Sequence, residues 1–75
     1  MSGRLRWTPT RMEQLESATR QGRRVVLMRR GTEYIVVAKR LTHDGRRDAL
    51  IGLLPMTGDE LRFVLEELDE FQVLP

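Results

Sequence analysis

Two apolar segments joined by a glycine turn decide the fold of this chain, where residues 23–41 read RRVVLMRRGTEYIVVAKRL. The first segment, residues 25–28, is rich in β-branched side chains, and residues 33–41 alternate as β-strands do. Gly31-Thr32 between them is the Gly-X dipeptide that suits a two-residue type II′ turn. This stretch therefore predicts an antiparallel β-hairpin.

A second turn signal extends the hairpin into a three-stranded meander. Asp44-Gly45 is a strong turn dipeptide, and residues 47–54 follow it as an apolar segment that Pro55 ends. The middle strand is apolar on both faces, because Ile35 and Val37 alternate with apolar neighbours. One thin layer cannot bury both faces, and exposed apolar surface of this kind often marks an interface.

Residues 9–21 are predicted to form a short amphipathic helix before the sheet. Thr8 can cap its start with Pro9 in the first position, or Thr10 can cap it through a capping box with Glu13. Gly22 is well placed to end it. Its narrow apolar face comprises Met12, Leu15 and Ala18.

The segment from residue 57 onward carries two patterns. A capping box at residues 57–60 followed by leucines and valine at helical spacing favours a C-terminal helix at about residues 58–69. Leu61, Phe63 and Leu65 also alternate, which is typical of a strand. Periodicity alone favours the helix and leaves both open.

Three stretches of the chain resemble the WYL family, the small Sm/SH3-like β-barrel found in bacterial transcriptional regulators. They are residues 15–27 (LESATRQGRRVVL), 45–52 (GRRDALIG) and 63–74 (FVLEELDEFQVL), within a likeness that spans about residues 12–74. The resemblance implies an α+β fold: one N-terminal helix and a small antiparallel sheet, closed as a barrel, with residues 60–74 as strand, turn and strand. The barrel would close over Val25, Leu27, Ile35, Val37, Ile51, Leu53, Phe63 and Leu65.

The resemblance also implies a ligand class, since family members bind nucleotides or single-stranded nucleic acid. This chain has Asp48-Ala49-Leu50 where the family has Trp-Tyr-Leu, and Leu61 and Glu67 where it has arginines. The resemblance therefore predicts the barrel fold, whereas the family's ligand-binding side chains are missing at these positions.

Composition indicates one domain, residues 1–75, with residues 1–7 flexible. The chain has no cysteine, which excludes disulfides and thiolate metal sites and fits a reducing cytoplasm. No apolar leader follows Met1, and the longest nearly apolar run, residues 49–54, is too short to span a bilayer. We expect a cytoplasmic protein without membrane contact.

No residue pattern supports catalysis. The single histidine, His43, lies beside Asp44 in a turn, and no cysteine or convincing serine nucleophile accompanies it. Neither one histidine nor the acidic residues 66–70 supply a metal-ligand set, and no phosphate-binding glycine loop is present. We expect a non-enzymatic protein with no cofactor and no metal.

Charge is divided unevenly along the chain. Residues 1–47 hold twelve Arg or Lys against four acids, whereas residues 48–75 hold one Arg against seven acids. This asymmetry suggests a basic surface that attracts a polyanion and an acidic segment that opposes it. The predicted anion-binding patch, at the sheet end distant from Gly31, comprises Arg23, Arg24, Lys39, Arg40, Arg46 and Arg47, with Arg62 as an outside candidate.

Two functions fit these features. The first is a small binding or regulatory module that acts through a protein partner or through self-association. The alternative is binding of single-stranded nucleic acid or nucleotide through the arginine-rich patch, which salt would weaken strongly.

Replacing Arg46 and Arg47 together by alanine is expected to weaken binding of a short single-stranded oligonucleotide without unfolding the domain, because phosphate contacts depend on clustered cations. An amide-resolved NMR titration at low and physiological salt measures it. Unchanged affinity in the double variant would remove the patch from consideration.

Overall fold

The computed structural model describes residues 5–75, so the first four residues of the segment predicted to be flexible lie outside the described residues. The fold is α+β, with one helix before a five-stranded antiparallel sheet. The elements are α1 (Pro9–Gln21), β1 (Arg24–Arg29), β2 (Thr32–Asp44), β3 (Arg47–Leu53), β4 (Glu60–Val64), a 3₁₀ turn (Leu65–Glu67) and β5 (Leu68–Val73). The strands lie in the order β4-β3-β2-β1-β5.

Helix α1 has the predicted bounds because both of its ends are capped. The Thr8 hydroxyl accepts a hydrogen bond from the Arg11 N–H at 3.2 Å, and Pro9 takes the first helical position. Gly22 ends the helix in the left-handed region at φ 63°. Leu15 and Ala18 are fully buried, which fixes the helix on one face of the sheet.

The alternative of a C-terminal helix at residues 58–69 is wrong. β4 pairs with β3 along its length, and β5 returns to pair with β1, so the two tail segments become the edges of the sheet. Only the short 3₁₀ turn between them is helical. Backbone pairing with strands distant in sequence overrides the helical spacing of the leucines, since local preference is a weak term.

The first hairpin turn lies one residue before its predicted position, and the second contains the predicted Gly45. Arg29 pairs with Thr32, so the central residues of the first turn are Arg30 and Gly31, and the Gly31-Thr32 assignment is wrong. Their φ angles are 52° and 79°, and positive values at both positions are what a type I′ turn requires. In the second hairpin the central residues are Gly45 and Arg46, because Asp44 pairs with Arg47.

The core lies on the opposite face of β2 from the one predicted. Val25 pairs with Val36, and cross-strand partners share a face, so Val36 and Ala38 point inward. Ile35 is 47% exposed and points outward, and Val37 is only half-buried beside it. The buried cluster comprises Leu15, Ala18, Val25, Leu27, Val36, Ala38, Leu50, Phe63, Leu65 and Leu68.

The sheet is strongly curled but open, so the predicted closed barrel is not formed: within residues 5–75 no ladder joins β4 to β5. A register shift at Lys39 in β2 marks a bulge, which bends a strand and increases its twist. The Tyr34 ring on β2 meets the Phe63 ring on β4, with centroids 5.1 Å apart. Arg29 Nη1 on β1 reaches the Arg62 carbonyl on β4 at 3.4 Å, across the inside of the curl.

Close packing inside the curl requires a glycine at position 52. A Cβ there would lie 2.6 Å from Val36 Cγ2 and 3.3 Å from the Phe63 ring. Gly52→Ala is therefore expected to destabilise the domain by about 1–3 kcal/mol, the cost of overpacking, measured by chemical denaturation.

The control is the same substitution in a Val36→Ala background, which removes Cγ2, the nearer of the two Val36 atoms that the new Cβ meets. We expect Gly52→Ala to cost less there than in the wild-type chain. Equal costs in the two backgrounds would contradict the packing explanation.

Candidate interaction surface

The pairing register divides the predicted basic patch into two groups. Arg24 lies opposite Val37 near the middle of β2, and the Arg23 carbonyl accepts a hydrogen bond from the Ala38 N–H at 2.9 Å, which places both arginines near Lys39 and Arg40. Arg46 and Arg47 lie at the tip of the β2–β3 hairpin, roughly 20 Å along the strand direction from Arg24 and roughly 13 Å from Arg40. The six side chains therefore do not converge on one compact site.

Acidic neighbours partly neutralise two of these cations. Arg40 forms an ion pair with Glu60 at 3.6 Å, and Arg62 forms one with Asp44 at 3.8 Å. Both pairs are exposed, so each contributes little to stability. They nevertheless place carboxylates where a phosphate would have to bind, which works against a purely anionic ligand at these two side chains.

The two aromatic side chains that could stack on a base are engaged within the fold. Trp7 Nε1 donates to the Leu65 carbonyl at 2.8 Å, and the Trp7 ring packs against Phe71 with centroids 5.3 Å apart. Tyr34 packs edge-on against Phe63. Single-stranded nucleic-acid sites usually present exposed aromatic faces, and these two rings are half-buried.

Arg29 has a structural role that the sequence analysis missed. Its guanidinium lies 5.2 Å from the Tyr34 centroid and 5.0 Å from the Phe63 centroid, within the range of cation–π contacts. Val25, Leu27 and Arg29 alternate along β1, and the first two are buried. This alternation indicates that Arg29 points to the same, inner side of the sheet. Arg29 covers the open end of the core, so it differs from the solvated arginines around it.

The sheet face opposite α1, which we call the outer face, carries a contiguous apolar strip. Val26 lies directly opposite Ile35, and Val37 lies opposite Leu53 on the next strand. Ile51 lies next to this strip and is 9% exposed. Ile35, the most exposed member, lies on β2, the central strand of the sheet. Of the described residues, Met56 in the β3–β4 loop is the other large apolar side chain that is exposed.

Charged residues border the strip with opposite signs at its two ends. Near the β1–β2 turn, Met28 lies between Glu33 and Glu70 in one cross-strand row. At the other end, Ile51 lies between Arg40 and Arg62. The outer face therefore has an acidic row, an apolar middle and a row with two arginines, each of which also contacts a carboxylate. Arg24, Arg40 and Arg62 of the predicted patch lie on this face.

The His43–Asp48 pair is exposed near the tip of the β2–β3 hairpin. His43 Nδ1 lies 2.6 Å from Asp48 Oδ1, and this hydrogen bond, with the charge of Asp48, raises the pKa of His43 above 6.5. Residues 5–75 hold no group of three or more His, Asp or Glu side chains that could bind a metal ion.

An open groove of about 620 Å³ runs between α1 and β5. Its walls are mixed in charge, with Glu13 facing the groove from the same helix as Arg20, and Gln72 and Val73 on the strand side. Ser17 also lines the groove, and its hydroxyl is engaged in a hydrogen bond at 3.1 Å within the helix.

Comparisons with protein-family models, with curated proteins and with solved structures each found no match to this chain. In the part of the chain that the structure describes, no helix has the length and apolar character needed to cross a membrane.

An NMR titration of His43 should give a pKa above 6.5, and Asp48→Asn should bring it back towards 6.5, because the carboxylate stabilises the protonated imidazole. The folded pKa is raised, so the small stabilisation from this pair is present below pH 6.5 and is lost as pH rises through the folded value. Glu66→Gln, which leaves the pair intact, is the control. An unshifted His43 in the wild-type chain would contradict the contact.

Proposed function

We propose that this chain is a cytoplasmic, non-enzymatic binding module that acts through protein–protein contacts at the outer face of its sheet. The observation that carries the proposal is the exposure of Ile35, 47%, in the middle of a contiguous apolar strip on the central strand. Val26, Val37 and Leu53 extend the strip and are each partly exposed. A strip of this kind with a charged border has the anatomy of a protein interface: an apolar centre and a polar rim.

The finer fold assignment belongs to the same proposal. We infer that the curled sheet is an open form of the Sm/SH3-like barrel that the WYL resemblance implies. Its support is the return of β5 to pair with β1 after a single 3₁₀ turn, and the reach of Arg29 across to β4. A small barrel-like sheet of this kind can present its outer face while its inner face holds the core.

Nucleic-acid or nucleotide binding through the arginine-rich patch stays a prediction. Arg46 and Arg47 are exposed at a hairpin tip, which supports it. The division of the patch and the engagement of Trp7 and Tyr34 favour the protein-contact proposal over it.

A photo-crosslinking amino acid at position 35, introduced into the full chain in cells of its source organism, tests the proposal. We expect a discrete cross-linked product on denaturing gels, identified by mass spectrometry, because the outer face is covered by its partner. Position 56 is the matched control, since Met56 is 94% exposed and lies off the outer face.

Cross-linking at position 35 that does not exceed the level at position 56 would contradict the proposed contact surface. Circular dichroism of both labelled proteins establishes that they are folded, which the exposure of both positions leads us to expect.

A further inference from the structure

We propose that the partner of the outer face is a second copy of this chain, docked in an antiparallel, twofold-symmetric arrangement centred on β2. This inference rests on the proposed function and names its partner. It follows from the order of side chains along the outer face of β2, which runs acid, apolar, apolar, base: Glu33, Ile35, Val37 and Arg40.

This order is self-complementary when it is reversed. A twofold axis that lies in the interface, perpendicular to the strands and between Ile35 and Val37, reverses the strand direction and keeps β2 over β2. Ile35 of one copy then faces Val37 of the other, and Glu33 faces Arg40. Because the axis is twofold, each contact is made twice, as in any isologous interface.

The bulge at Lys39 is what brings Arg40 to the outer face. In a regular strand, residues 33, 35, 37 and 39 share a face, and residue 40 points the other way. The register shift pairs Ala38 with Gly52 and Arg40 with Ile51, so Arg40 joins the row of Ile51 and Arg62. The bulge therefore places Arg40 in the row where a regular strand would place Lys39, so an arginine faces Glu33 of the other copy.

The charges on the separate chain are compatible with this docking. Within residues 5–75, Glu33 makes no ion pair. Arg40 is paired with Glu60 only at 3.6 Å, with both side chains about half exposed, so its guanidinium can donate to a second carboxylate. Two copies stacked in parallel would instead place Glu33 over Glu33 and Arg40 over Arg40, which like-charge repulsion disfavours.

The curl of the sheet limits the contact to its central strands, and we expect a dimer of modest affinity. Sedimentation equilibrium of the full chain, from about 10 μM to about 1 mM, measures it, and a dimer is expected to appear within this range. Ile35→Glu should abolish the dimer, and Met56→Glu, which alters an exposed apolar residue elsewhere, should leave its Kd unchanged.

Reversing the charge of Glu33 or of Arg40 gives the sharper test. Both residues lie on the same chain, so two single variants can restore each other's contacts only in a mixed dimer. Glu33→Arg alone places like charges opposite each other at both contacts and should raise the dimer Kd about tenfold or more, and Arg40→Glu alone should do the same. In an equimolar mixture of these two variants, both contacts of the mixed dimer pair opposite charges. The mixture should therefore recover the wild-type Kd while neither variant dimerises well alone.

Three results would overturn the inference: a wild-type chain that stays monomeric over the whole range, a dimer that Ile35→Glu leaves intact, and a mixture that associates no better than its parts. The photo-crosslinking at position 35 distinguishes a failure of the dimer inference from a failure of the proposed protein-binding function. A product that joins position 35 to a different protein would overturn the second copy as partner and leave the outer face as a protein-binding surface.

Discussion

The curl of the sheet depends on the close approach of the Gly52 backbone on β3 to Val36 on β2 and to Phe63 on β4, the two strands that flank it. A hydrogen in place of a methyl group at this position allows β3 to bend over the core, and the bend brings β4 back towards β1. Through this curl, Arg29 can cover the open end of the core against Tyr34 and Phe63. A domain of this size has few other ways to enclose enough apolar surface.

The same curl explains why the molecule has two different faces. The inner face closes on α1 and holds the buried cluster, so it has no surface left for a partner. The outer face is convex. β2 is hydrogen-bonded to a strand on each side, so it stays within the sheet although some of its apolar side chains point outward. The Trp7 and Tyr34 rings pack within the fold against Phe71 and Phe63.

Sequence patterns were sufficient for α1 and for the presence of β1, β2 and β3, and insufficient for β4, β5 and the strand registers. The α1 bounds followed from Thr8, Pro9 and Gly22, because capping is a local interaction. The first turn was predicted one residue late, because Asp69 on β5 accepts a hydrogen bond from the Arg30 N–H at 3.2 Å and supports a positive φ at a non-glycine residue. That contact joins residues far apart in sequence, so no local rule contains it.

The sequence by itself determined one helix, the strand-rich segments that follow it, and an excess of apolar side chains on β2 that a single core could not bury. The alternation in residues 33–38 showed that two apolar faces existed without showing which one is buried, since Ile35 and Val37 are as apolar as Val36. Only the tertiary structure decided this, because the face of β2 that holds Val36 and Ala38 is the one that packs with α1 in the buried cluster. The tertiary structure likewise separated the arginines that are contiguous in sequence, since strand register sets the distance between them.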